Sequence, residues 1–209
     1  MQNKIEQNKE NKDATRSPFW DNRYQNQDTP WDLKQPAPAF VDLLDSPGFP
    51  KSGKIAILGC GTGNDALLFA KMGFEVTGFD FAPSAIAIAQ ERAQEVNLKA
   101  EFLQRDIFAL SEEFAGVFDY VVEHTCFCAI LPEQRDRYVE VARSLLKPKG
   151  ILLGIFFTHS RPGGPPFGST SEEICSYFQP AFEILSLDPL ENSHPKRQGE
   201  EHFGQFRRL

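Results

Sequence analysis

The stretch LGCGTGND, Leu58 to Asp65, sets three glycines in five positions (Gly59, Gly61 and Gly63) directly after an apolar run. Glycine lets a backbone turn tightly and come close to a ligand, at a cost in chain entropy. The dinucleotide pattern G-x-G-x-x-G brings its third glycine one residue later and rests a pyrophosphate on the helix that follows. Here Asn64 and Asp65 come next, and an acid at that point repels a pyrophosphate. No Gly-Lys-Ser/Thr follows, so the turn is not a P-loop. A phosphate-free nucleoside suits it.

Two further acids stand where nucleoside chemistry needs them. Asp80, 17 residues beyond Gly63, ends the apolar run EVTGFD and is followed by Phe81. A carboxylate there accepts from two ribose hydroxyls, as in nicotinamide enzymes. Asp106 closes AEFLQRD and is placed to accept from an exocyclic adenine amine, with Ile107 or Phe108 against the ring. Glycine turn, ribose acid and adenine acid on successive strands fit S-adenosylmethionine. Taken singly, each has a plain alternative as a tight turn or a helix cap, and a nicotinamide oxidoreductase or a non-catalytic sensor of the same nucleoside stays open.

Chemistry at the other end of such a site falls to Glu123 and His124, which end the run FDYVVEH. His124 is the catalytic candidate, donating to an anion or assisting deprotonation of a neutral thiol. Glu123 is a candidate to hold an ammonium group, with an ordinary strand-end acid as the equal alternative. Phe127, Phe156, Phe157 and Phe167 are candidates for the walls of a small pocket, with plain core packing as the alternative. Lys196 and Arg197, in a late polar stretch, read as a solvated turn, with attraction of anions to the pocket mouth as the alternative. The four cysteines, Cys60, Cys126, Cys128 and Cys175, lack zinc-site or disulfide-framework spacing. They read as reduced thiols in a cytoplasmic chain, and no metal is expected.

The elements that must position these groups alternate in type. Strands are expected at 55–58, 75–80, 100–106, 118–124 and 150–157, with helices following the glycine turn and at 83–97 and 132–150. Pro83 suits a first helical turn. Alternation on this scale gives an α/β fold with a mostly parallel sheet and helices on both faces. After it, SEEICSYF reads as a helix, and FEILSLDP and HFGQFRRL as an antiparallel edge hairpin. Ahead of it, residues 17–40 set Phe19, Trp20, Tyr24, Trp31 and Phe40 among prolines and polar residues, and both tryptophans of the chain lie here. Such a segment folds over something, as a lid. Residues 1–16 are polar and read as a disordered tail, leaving one domain over 17–209.

The totals narrow the partners. The 209 residues make one domain, and 22 Lys and Arg against 29 Asp and Glu give a net charge of −7. A surplus of acid argues against nucleic acid as the main partner. No apolar run has membrane-spanning length. The 19 phenylalanines point to an aromatic core or pocket.

With these residues in hand, the chain resembles the thiol/halide methyltransferase branch of the thiopurine-methyltransferase superfamily of class I methyltransferases. The likeness is carried by Trp20 and TPWD (Trp31, Asp32), LGCGTGND, VTGFDFAPSAI, RDIF, FCAI with P-E-x-R, LLKPKG, GGPPF and HPKRQGEE. The resemblance implies a Rossmann-like sheet of seven strands and S-adenosylmethionine as cofactor. It places Trp20, Tyr24 and Trp31 over that cofactor, with Trp20 and His124 near the acceptor. The branch methylates iodide, bromide, thiocyanate, hydrosulfide and some organic thiols. A small anion or thiol is therefore the expected partner, with bulkier thiols, thiopurines or tellurite-type oxyanions as the alternative and a monomer as the expected state. Where plant relatives carry tyrosines, this chain has His124 and Phe156.

Overall fold

In a computed structural model that describes residues 13–209, seven strands form one sheet in the order β3-β2-β1-β4-β5-β7-β6. The strands are β1 (Lys54–Leu58), β2 (Glu75–Asp80), β3 (Ala100–Gln104), β4 (Phe118–His124), β5 (Leu146–Phe157), β6 (Phe182–Pro189) and β7 (Glu201–Arg208). β1 to β5 run parallel, and β7 lies antiparallel between β5 and β6. The chain reverses its direction of travel across the sheet between β1 and β4, and in open α/β sheets ligands bind at the carboxyl ends of the strands flanking such a point. The mostly parallel α/β sheet with its edge hairpin is the architecture expected.

Among the described residues seven α-helices pack around the sheet: α1 (Ser17–Gln25), α2 (Pro38–Asp45), α3 (Asn64–Lys71), α4 (Pro83–Glu95), α5 (Leu110–Phe114), α6 (Arg135–Leu145) and α7 (Ser171–Phe178). Strand side chains alternate between faces, so β1 sends Ile55 and Ile57 to one core and Ala56 and Leu58 to the other. The first core joins them to Phe40 of α2, Phe69 of α3 and Ala89 of α4. The second joins α6 and α7 and is rich in aromatics, with Phe156 and Phe178 in contact with each other and each touching both Phe127 and Phe206. Most of the phenylalanine surplus is core.

Three expectations are corrected. The third strand, expected over 100–106, ends at Gln104, so Asp106 lies beyond it as the cap of a short turn. The helix expected to run to Gly150 ends at Leu145, and Leu146 already pairs with Phe118 of β4. Pro148 has no N–H to give a helix, Lys149 takes a positive φ of 64°, and the Lys147 ammonium bonds Asp119 at 2.7 Å. The late strand of the hairpin also begins one residue early, at Glu201. The expected tail over 1–16 falls mainly outside the described residues. Its last four residues are described, and Ala14 is buried, accepting from the Trp20 indole at 2.8 Å.

Candidate active site

A cavity of about 450 Å³ opens at the carboxyl ends of β1, β2 and β4. Its floor is the glycine turn, where Gly59, Gly61 and Gly63 take φ of 62°, 52° and 83°, a region that side chains other than glycine rarely adopt. Asp80 fastens this turn. One carboxylate oxygen accepts from the Gly61 N–H at 3.0 Å and the other from Ala82 N–H at 2.9 Å. Burial pushes its carboxyl up to about 6 against the pull of those N–H groups. Each oxygen keeps a lone pair beyond its backbone bond, which is what a ribose acceptor requires.

The roof is the N-terminal segment. Trp20 and Trp31 meet edge to face with centroids 5.3 Å apart, and Tyr24 meets Trp31 at 5.9 Å. The Trp31 indole donates to the Tyr24 hydroxyl at 3.3 Å. The roof is pinned by its own acids and hydroxyls. Asp21 accepts from Ser84 N–H at the start of α4, and Ser17 donates to the Phe81 carbonyl. Asp32 accepts from the Thr62 hydroxyl and the Asn64 amide, at 2.9 and 2.8 Å, and these bonds with those from Lys34 hold its carboxyl below the usual range. TPWD thus locks the lid onto the glycine turn.

Of the residues singled out in the sequence, Trp20, Tyr24, Trp31, Gly59, Gly61, Asp80, Phe81, Asp106, Ile107 and His124 all border this cavity. Asp106 sits exposed at the rim and accepts from Phe108 N–H at 2.9 Å, capping a short turn. Four residues lie elsewhere. Gly63 is a packing glycine, since a Cβ there would stand 3.2 Å from both Ala89 and Phe102. Glu123 is fully buried beneath the floor, taken up by the Tyr138 hydroxyl and by Phe127 N–H at 2.9 Å, so it has no access to an ammonium ligand. Phe127 and Phe156 belong to the aromatic core, and of the four candidate phenylalanines only Phe157 reaches the wall.

His124 reaches the cavity with both ring nitrogens engaged. Nδ1 lies 2.7 Å from Asp65 Oδ2, and Arg197 Nη1 lies 3.0 Å from Nε2. Asp65, read from the sequence as a repeller of phosphate, also accepts from Ala37 N–H in the lid at 2.8 Å. Arg197 is no solvated turn residue. It is buried, and it donates to the Trp31 carbonyl at 2.6 Å and to Glu201 at 3.2 Å. Asp32, Asp65 and Arg197 are the site residues the sequence reading missed. Only their presence in the quoted motifs TPWD, LGCGTGND and HPKRQGEE marked them.

The same architecture recurs in a solved methyltransferase. 1,6-Didemethyltoxoflavin-N1-methyltransferase of Burkholderia thailandensis, bound to its substrate and S-adenosylhomocysteine, superposes with a TM-score of 0.76 at 19% identity, covering 94% of this chain and 88% of that one. The sequence itself is more specific. It matches the thiopurine S-methyltransferase family over residues 15–206, and the chain belongs to that family. Thiocyanate methyltransferase 1 of Arabidopsis thaliana is 33% identical over 199 residues, with 91% of this chain and 84% of the relative covered. Its Brassica oleracea counterpart is 32% identical over the same shares. The protein is an S-adenosylmethionine-dependent methyltransferase of that family.

Proposed function

We propose that this enzyme transfers the methyl group of S-adenosylmethionine to small soft nucleophiles, namely iodide, bromide, thiocyanate, hydrosulfide or small thiols. The products are the methyl halide or methyl sulfur compound and S-adenosylhomocysteine. When bound, the cofactor supplies a methyl carbon activated by a sulfonium. The residues proposed to hold it are Gly59 and Gly61 with their turn, Asp80 on the ribose, Phe81, Asp106 and Ile107 around the adenine, and Trp20, Tyr24 and Trp31 above. Aromatic faces attract a sulfonium by roughly 0.5–2 kcal/mol each.

What carries a small acceptor over a bulky one is volume. Single drug-sized ligands occupy pockets of roughly 300–1,000 Å³, and the cavity here is about 450 Å³ with the cofactor still to be seated in it. Little room remains for the acceptor, and His124, Phe157, Pro165 and Pro166 are among the residues that line the cavity. Soft anions need alignment and loss of water rather than chemistry from the wall, and an indole roof serves both. Four unpaired cysteines fit a reducing, cytoplasmic setting.

The test is headspace detection of methyl iodide, methyl thiocyanate and methanethiol from purified protein, run beside thiopurine, thiophenol and tellurite assays. Turnover of the small acceptors is the expected result. Turnover of the thiopurine or tellurite alone would replace this reading with its bulky-acceptor alternative.

A further inference from the structure

His124 is the imidazole of the cavity, and its state is decided by a chain of buried contacts. A guanidinium has donors only, so in the Arg197 contact Nε2 must be the acceptor and the ring proton must sit on Nδ1, facing Asp65. The second Nη1 hydrogen goes to Glu201 Oε1, which itself stands 4.0 Å from Nε2. Nη2 is tied to the lid through the Trp31 carbonyl. The side chains of Asp65, His124, Arg197 and Glu201 are 12%, 11%, 8% and 4% exposed, so water competes weakly with these bonds. Charged groups around the ring are Asp65 from α3, Arg197 from the late turn, Glu201 from β7, and Glu123 next to it in β4. Phe40 of α2 adds only a ring edge, at 6.0 Å.

We propose that Arg197 is a positioning residue which, by capping Nε2 of His124, keeps the imidazole out of proton transfer and restricts the enzyme to acceptors that arrive already ionised. The inference rests on the methyl-transfer reading above. In the transfer, a lone pair of the acceptor forms a bond to the methyl carbon while the carbon–sulfur bond of the sulfonium breaks, its electron pair passing to sulfur. Iodide or a thiolate completes this with no proton to place. A neutral thiol leaves one proton over, and Nε2 has no lone pair to take it while Arg197 is docked. The acids that line the cavity have other partners: Asp32 the Thr62 hydroxyl, Asp65 the Ala37 N–H and the His124 ring, Asp80 the glycine turn with its remaining lone pairs assigned to the ribose, and Asp106 its own cap.

The experiment compares thiols of graded acidity with iodide, using the thiol-to-iodide ratio of kcat/KM so that titration of the enzyme itself cancels. For the wild type this ratio should rise about tenfold per pH unit up to each thiol's own pKa and level there. In Arg197→Met the ratio below that pKa should climb at least tenfold, Arg197→Lys should return it toward the wild-type profile, and Arg197→Met with His124→Phe should abolish the gain. Nitrogen NMR of the histidine rings, assigned with His124→Phe, should find the His124 proton on Nδ1, and this reading needs no variant at position 197 to fold. A ratio indifferent to thiol acidity, or a proton on Nε2, would overturn the inference while leaving methyl transfer intact. Turnover of neither iodide nor any thiol would remove the acceptor reading and this inference together.

Discussion

Asp80 closes β2 and Glu123 stands one residue from the end of β4; both are buried, and burial raises both carboxyls, to about 6 and about 7. From the sequence they look equivalent, yet their partners differ in kind. Asp80 bonds two backbone N–H groups of the turns it faces and borders the cavity. Glu123 points down into the aromatic core, where the Tyr138 hydroxyl and Phe127 N–H consume it. On β4 the cavity is met instead by the next residue, His124. A strand-tip acid is therefore a binding group only when its free lone pairs look outward, and the pleat decides that one residue at a time.

The widest consequence of this difference is in pH dependence. An acid whose native pKa lies above its unfolded value holds an extra proton in the native state, so stability falls as pH rises through that window. For Asp80 the window runs from 3.8 to about 6, and for Glu123 from 4.5 to about 7. Denaturation measured between pH 4 and 7 should show a loss on the order of 4 kcal/mol from the pair. Saturating S-adenosylhomocysteine should erase the Asp80 share, because ribose hydroxyls favour the ionised form, and should leave the Glu123 share in place. Loss of both shares on binding would make the two tips alike.

Substitution separates the tips further. Glu123→Leu strands the Tyr138 hydroxyl and the Phe127 N–H, at about 3 kcal/mol of folding stability, while the affinity of the folded variant for S-adenosylhomocysteine should stay within about twofold. Asp80→Ala should do the reverse at the ligand, weakening calorimetric affinity by about 1–3 kcal/mol. Wild-type affinity in the Asp80 variant would take the ribose away from this residue.

What the sequence disclosed was whatever local spacing encodes. β2, β4 and α7 fall where EVTGFD, FDYVVEH and SEEICSYF put them, because turn residues and apolar runs mark their ends. The Asp65–His124–Arg197 chain links residues 59 and 73 positions apart, and no periodicity carries such a contact. Phe156 and Phe157 show a second limit. β5 is apolar on both faces, so alternation could not say which of the pair meets the cavity; sheet register sends Phe156 to the core and Phe157 to the wall. The helix ending in Lys-Pro-Lys-Gly failed for a third reason, since the same breakers that stop a helix also shape the irregular start of β5.

The roof sits over the Asp80 tip and not over Glu123, and Tyr24 is the residue that tests how. Its hydroxyl accepts from the Trp31 indole and would lie 3.1 Å from a Cβ built on Gly61. Tyr24→Phe keeps the ring against Trp31 and removes one long hydrogen bond, so S-adenosylhomocysteine affinity should fall by only about 0.5–1.5 kcal/mol. Because both tryptophans sit in the lid, intrinsic fluorescence reports on its surroundings directly and should respond to ligand in this variant as in the wild type. Gly61→Ala suffers twice, from its φ of 52° and from the Tyr24 hydroxyl, and Phe at position 24 relieves only the second. In a double-mutant cycle on ligand affinity, Tyr24→Phe should therefore recover part of the Gly61→Ala loss. Strict additivity would mean that the roof and the glycine turn bind independently, and the lid would then be a cover without a grip on the floor beneath it.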